Sequence, residues 1–147
     1  MSARPTAESS LFAELPPSIF DGVTLIENAK NWQEKYRQIM LLGKQLPELP
    51  ESLKHESAQV KGCESQAWLY HQLIDGKHYF IASSDARIVK GLIAIILSHT
   101  QAKTTKEIAD FSISDEFQRL GLSGQLSPSR TNGITALANA IAAFSQE

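Results

Sequence analysis

The chain has 147 residues, room for one compact core and too few for two comfortable ones. Its 14 Lys and Arg against 16 Asp and Glu leave a formal charge of -2, which excludes a chain-wide basic field for nucleic acid or an anionic membrane surface. One cysteine, Cys63, excludes an internal disulfide, a CxxC redox pair and a multi-thiolate zinc site, and points to a reducing, cytoplasmic setting.

Residues 1–20 hold three prolines among Ser, Thr and Ala, so an irregular N-terminal arm is expected there, with Leu11, Phe12, Leu15, Ile19 and Phe20 able to dock on a single domain spanning 21–147. The opening 25 residues carry no apolar run of secretory-signal length, and the longest apolar stretch, GLIAIIL, falls far short of a bilayer span. Thr24 and Glu27 have capping-box spacing, and the following NAKNWQEKYRQIMLL places Ala29, Trp32, Tyr36, Ile39 and Met40 on one helical face that ends at Gly43. Pro47 and Pro50 then break the chain before a short helical turn near Glu51.

From Gln66 the run QAWLYHQLI is rich in strand-favouring residues; Asp75-Gly76 is the dipeptide that a two-residue hairpin prefers, and KHYFIA returns as a second strand. Asp85 is expected to cap a buried helix, ARIVKGLIAIILSHT. Thr104 with Glu107 makes another capping box, Ser114 is expected to cap a short helix ended by Gly121, and Ser127-Pro128 opens a last helix with Ile134, Leu137, Ala138, Ile141 and Phe144 inward. Helices around one small antiparallel sheet make the expected class α+β.

Cys63 lies in KGCES, among polar and small neighbours rather than the apolar flanks of a core position, and Gly62 permits a sharp turn; a reachable thiol follows. Extending the hairpin register from Ile74 opposite Lys77 places Asp85 opposite Gln66 and Arg87 near Glu64, so the buried helix should start beside the cysteine loop. Arg87 and the helix end would lower the thiol pKa, and Glu64 and Asp85 would oppose them. His71 is the one base that would make a cysteine hydrolase of Cys63, and a binding module with an incidental thiol is the third reading. The four histidines lack metal-ligand spacing, GLSGQ around Ser123 lacks the GxSxG elbow, and no glycine-rich phosphate cradle is present. Arg130 stands in a helix first turn, where its charge opposes the dipole. Lys44, Lys61, Arg87, Lys90 and Arg130 are the candidates for a basic part of a partner surface.

Four blocks, YRQIMLLGKQLPELP, VKGCESQAW, SSDARIVKGLIAIIL and LGLSGQLSPSRTNG, in this order, resemble the SufE family of sulfur acceptors, and the wording KYRQIMLLGKQLP is most like its CsdE branch. The resemblance covers residues 28 to 145. It implies a SufE/NifU-like fold, with Cys63 as the acceptor of persulfide sulfur from a cysteine desulfurase (CsdA- or SufS-like) and Asp85 and Arg130 near it. It also implies a chain without a cofactor of its own, the pyridoxal phosphate being the desulfurase's, and passage of the sulfur to a downstream acceptor or scaffold for iron-sulfur cluster assembly or tRNA modification. On this resemblance the chain is an accessory protein and not an enzyme; a monomer is the default expectation, since no sequence feature sets the oligomeric state. Ser83 stands where the family commonly has the first aspartate of a DSDA motif, Ala67 replaces the usual valine before Trp68, Glu64 is closer to the CsdE pattern and Ser65 to SufE.

Overall fold

The computed structural model describes residues 9–60 and 66–146. The architecture is α+β: among these residues, six α-helices surround one two-stranded antiparallel sheet.

The sheet is the expected hairpin. β1 (Ala67–Ile74) and β2 (Lys77–Ser84) pair from Ile74 opposite Lys77 to Ala67 opposite Ser84. Asp75 at φ 52° and Gly76 at φ 78° are both left-handed, as a two-residue hairpin turn with the twist of its strands requires. Alternation gives the hairpin two apolar faces. Leu69, Phe80 and Ala82 join the main core, whereas Trp68, Tyr70 and Ile81 form a smaller one with Phe12, Leu49, Leu53 and Ala58, so the proline-rich segment serves as a lid on the second face.

The outer edge of β2 is covered by the chain that follows α3 (Arg87–Thr100). The His78 N–H donates to the Lys103 carbonyl and the Ala102 N–H to the His78 carbonyl, and the Gln101 side-chain amide bonds both backbone groups of Phe80. Edge groups that would otherwise invite strand addition are thereby satisfied.

α3 runs through the centre, with Leu92, Ile93, Ile95 and Ile96 at 0% exposure. α1 (Pro17–Asn28), α2 (Trp32–Gly43) and α6 (Pro128–Phe144) pack around it, and the short α4 (Thr105–Ala109) and α5 (Ile113–Arg119) close its C-terminal side. α2 comes so near that a Cβ on Gly91 would lie 2.1 Å from the Ile39 carbonyl oxygen.

Several local expectations need correction. Thr24 and Glu27 do not cap a helix: Pro16-Pro17 start α1 inside the segment expected to be irregular, and the Thr24 hydroxyl donates to the Phe20 carbonyl. The chain then breaks, and Asn31 caps α2 by accepting the Glu34 N–H at 2.9 Å. Ser112, not Ser114, caps α5. Asp85 is not a cap, because α3 starts at Arg87 and Ala86 holds the N-cap position without a side-chain bond. The capping box of Thr104 and Glu107, the start of α6 at Ser127-Pro128 and the burial of Phe12, Leu15 and Ile19 are as expected, whereas Leu11 and Phe20 of the same docking set are exposed.

Candidate functional site

The site is approached from the open end of the hairpin. The Val60 N–H donates to the Ala67 carbonyl at 2.8 Å, and Gln59 bridges Trp68, so the chain just before residue 61 is bonded to the chain just after residue 65. Gln66 is held in turn: its carbonyl accepts the Asp85 N–H at 3.1 Å and the Ser84 hydroxyl at 2.6 Å. The predicted pairing of Asp85 with Gln66 is therefore present, and α3 begins two residues further on. Cys63 and Glu64, together with Lys61, Gly62 and Ser65, lie outside the described residues, as does the expected approach of Arg87 to Glu64.

Charges of both signs surround this junction. Asp85 and Arg87 are exposed on either side of Ala86. Lys54 pairs with Glu51 at 2.9 Å and stands over the Trp68 ring at 5.8 Å; the Glu51 carboxylate holds its pKa above the usual lysine value, with Asp85 adding to the effect. Lys90 lies 4.0 Å from Glu48. The α3 start thus offers paired charges rather than a field of one sign. Sequence reasoning missed Lys54, four residues after Pro50 with no motif around it, and Ser84, for which a place between a strand and a helix was the only available signal.

Arg130 is exposed in the first turn of α6, where its own N–H bonds the Ser127 hydroxyl at 3.3 Å. Among the described residues no ion pair or side-chain hydrogen bond joins it to Asp85 or Arg87. The far end of α6 is tied beside the hairpin turn, through the Thr105 hydroxyl on the Ser145 carbonyl and the stacking of Phe144 on His71 at 5.3 Å. A helix of 17 residues spans about 25 Å. Arg130 is consequently at the opposite end of α6 from His71.

His71 is engaged with His78. Its Nε2 lies 2.8 Å from His78 Nδ1, His78 Nε2 lies 2.7 Å from the Thr105 hydroxyl, and that hydroxyl donates to the Ser145 carbonyl at 2.9 Å. A carbonyl only accepts, so Thr105 donates to it and accepts from His78 Nε2; a neutral His78 then accepts at Nδ1 from His71 Nε2. Burial holds the His78 pKa below the ordinary histidine value. Five residues of strand separate His71 from Gln66, about 17 Å. The hydrolase reading gains no support from this placement.

Among the described residues no group of three or more His, Cys, Asp or Glu is arranged to hold a metal ion. A groove of about 390 Å³ at the C-terminal end of α3 is lined by His99, Glu116 and Arg119 among others. It lies far from Gln66, and its side chains pair with one another: Glu116 with His99 and Arg119, and Arg119 with Glu27 at 2.8 Å. No described helix is long and apolar enough to cross a membrane.

With the fold and the junction in place, comparison with known proteins gives the class. Residues 21–145 match the family model described as SufE, the Fe-S metabolism associated domain. The chain belongs to the SufE family. It is 43% identical over 117 residues to the sulfur acceptor protein CsdE of Escherichia coli (strain K12), an alignment covering 79% of this chain and 80% of that one, in line with the resemblance to the CsdE branch. A solution structure of a hypothetical protein from Thermus thermophilus shares the fold, with a TM-score of 0.69 at 15% identity over 90% of this chain and 96% of that one.

Proposed function

We propose that this protein is a sulfur acceptor that works with a cysteine desulfurase and carries sulfur on Cys63. The observation that carries this reading is that the chain's only cysteine falls in the block VKGCESQAW, inside the 21–145 region matched to the family.

The step balances without an external oxidant. The Cys63 thiolate attacks the outer sulfur of the desulfurase persulfide, the partner's sulfur–sulfur bond breaks, and the partner cysteine leaves as thiolate while Cys63 becomes the persulfide. The pyridoxal phosphate that frees the sulfur from free cysteine belongs to the desulfurase, and this chain needs no cofactor of its own. A second nearby thiol would attack the carried persulfide and expel sulfide, so a lone cysteine suits a carrier working in the reducing cytoplasm. Asp85 and Arg87, exposed on either side of Ala86 where α3 starts, would set the local field for the approaching partner, and Arg130 adds a charge that α6 itself does not favour. The sulfur then passes to a thiol-bearing acceptor or scaffold for cluster assembly or tRNA modification.

The test is stimulation of a cysteine desulfurase. Alanine release from free cysteine rises when the wild-type chain is added, and Cys63→Ser gives no rise. Equal stimulation by both chains would overturn the reading.

A further inference from the structure

Between α2 and β1 the chain changes allegiance twice. Leu46 and Val60 pack on the main core, whereas Leu49, Leu53 and Ala58, which lie between them, join the separate cluster on Trp68, Tyr70 and Ile81. The intervening residues form two 3-10 turns, Glu51–Leu53 and Glu56–Ala58, closed by local bonds such as the Leu53 N–H on the Pro50 carbonyl at 2.9 Å and the Ala58 N–H on the His55 carbonyl at 3.0 Å. The Tyr70 hydroxyl, donating to the Leu53 carbonyl at 2.9 Å, and the bridge of Gln59 to Trp68 tie the segment to the hairpin. In the cluster it covers, Trp68 is 4% exposed, and among the described residues its indole N–H has no acceptor. The closed arrangement therefore carries the desolvation cost of a buried donor. Phe12 of the N-terminal arm joins this cluster, and its neighbour Ala13 is held to the main body through the Gln101 amide, which donates to the Ala13 carbonyl at 2.8 Å.

We propose that residues 47–59 are a lid that opens as one unit from the second face of the hairpin while the main core stays folded, with Phe12 as its latch. Leu46 and Val60 are the fixed points at its two ends, because both stay packed on the main core. Opening breaks the Tyr70 bond and the Gln59 bridge, and it uncovers Trp68, Tyr70 and Ile81. It leaves intact the hairpin ladder, which is made by backbone groups, and the packing of α3, whose Leu92, Ile93, Ile95 and Ile96 touch the other cluster. Water then reaches the Trp68 N–H, which offsets part of the apolar area lost. A segment with a small cluster of its own and mainly local backbone bonds belongs to the low-stability end of a fold, where parts open below the global unfolding free energy. The arm thereby acquires a task, since Phe12 closes the cluster from a part of the chain outside the lid.

Native-state hydrogen exchange of the full chain, read amide by amide by NMR over a series of low denaturant concentrations, tests the lid without reference to sulfur transfer. In the wild type the amides of Leu53, Lys54, Ala58 and Gln59 exchange through one opening that is more frequent, and less dependent on denaturant, than the one that exposes Leu92 and Ile93 in α3. Ile96→Val weakens the main core and speeds exchange at Leu92 and Ile93 about fivefold, with no change in the lid amides, because lid opening does not disturb Ile96. Phe12→Ala speeds the lid amides about tenfold or more, as removal of a buried ring from the cluster requires. Tyr70→Phe, which keeps the ring and removes the bond to Leu53, speeds them about fivefold and supplies the weakened lid if Phe12→Ala does not fold. Equal exchange of lid and α3 amides in the wild type, or equal acceleration of both by Ile96→Val, overturns the lid as a separate unit. Lid amides without protection in the wild type overturn its closure, and lid exchange unchanged by Phe12→Ala overturns the latch.

Discussion

His71 and His78 are diagonal neighbours on the hairpin, and their imidazoles meet Nε2 to Nδ1 at 2.8 Å in a chain of hydrogen bonds that ends on the Ser145 carbonyl. The hairpin turn is thereby fastened to the C-terminal end of α6. Burial favours a neutral His78, whose Nδ1 then accepts from His71 Nε2.

Stability should consequently depend on pH. Burial lowers the folded pKa of His78 below its ordinary value of 6.5, so the unfolded chain binds the proton more readily than the folded one. This contribution is complete above 6.5 and is lost as pH falls from 6.5 through the folded-state value. Thermal unfolding followed from about pH 8 to about pH 5 should show the decline, and His78→Gln, which cannot titrate, should flatten it. An identical slope in the variant would contradict the assignment.

Glu116 makes a second prediction, of different sign in its causes. Burial by itself raises the pKa of this carboxyl, but the bonds from Arg119, with help from His99, hold it below the ordinary value of 4.5. The linked stability is full above 4.5 and is lost as pH falls through the lower folded value. Glu116→Ala removes charge-assisted bonds at 2.6 and 3.1 Å from Arg119. Since Arg119 keeps Glu27 and is partly exposed, the cost should be about 2 kcal/mol, read from urea unfolding.

Two glycines separate packing from backbone strain. A Cβ at Gly91 would sit 2.1 Å from the Ile39 carbonyl oxygen, a contact only a separation of α2 from α3 can relieve. Gly91→Ala should cost about 3 kcal/mol or more. At Gly76 a Cβ meets nothing within 4 Å, and only the φ of +78° resists substitution, so Gly76→Ala should cost about 1 kcal/mol. Equal midpoints for the two variants in denaturant would show that the α2–α3 approach is looser than described.

These features are legible to different degrees in the sequence. The hairpin register can be read from Asp75-Gly76 because that dipeptide admits φ above zero at both turn positions, and alternation then places every strand residue. Pro16-Pro17 mislead because proline both ends a helix and opens one, and only the burial of Ile19, Val23 and Ile26 distinguishes the two. Asp85 is misplaced as a cap because a shift of one residue in the helix start moves the capping position to Ala86. The tie made by Ser84 depends on a carbonyl 18 positions away, a distance over which no local pattern speaks. Arg130 is visible only as a charge in the wrong helix turn, and its surroundings depend on how α6 is packed.

The central claim is that Cys63 carries the sulfur, and intact mass tests it most directly. The chain is incubated with a cysteine desulfurase, free cysteine and pyridoxal phosphate, then weighed without reductant and mapped by peptide. The account predicts a gain of one sulfur atom on Cys63, removed by a thiol reductant and absent in Cys63→Ser. An unmodified Cys63 with a desulfurase that loads its own persulfide, or the same gain in the Ser variant, would contradict it.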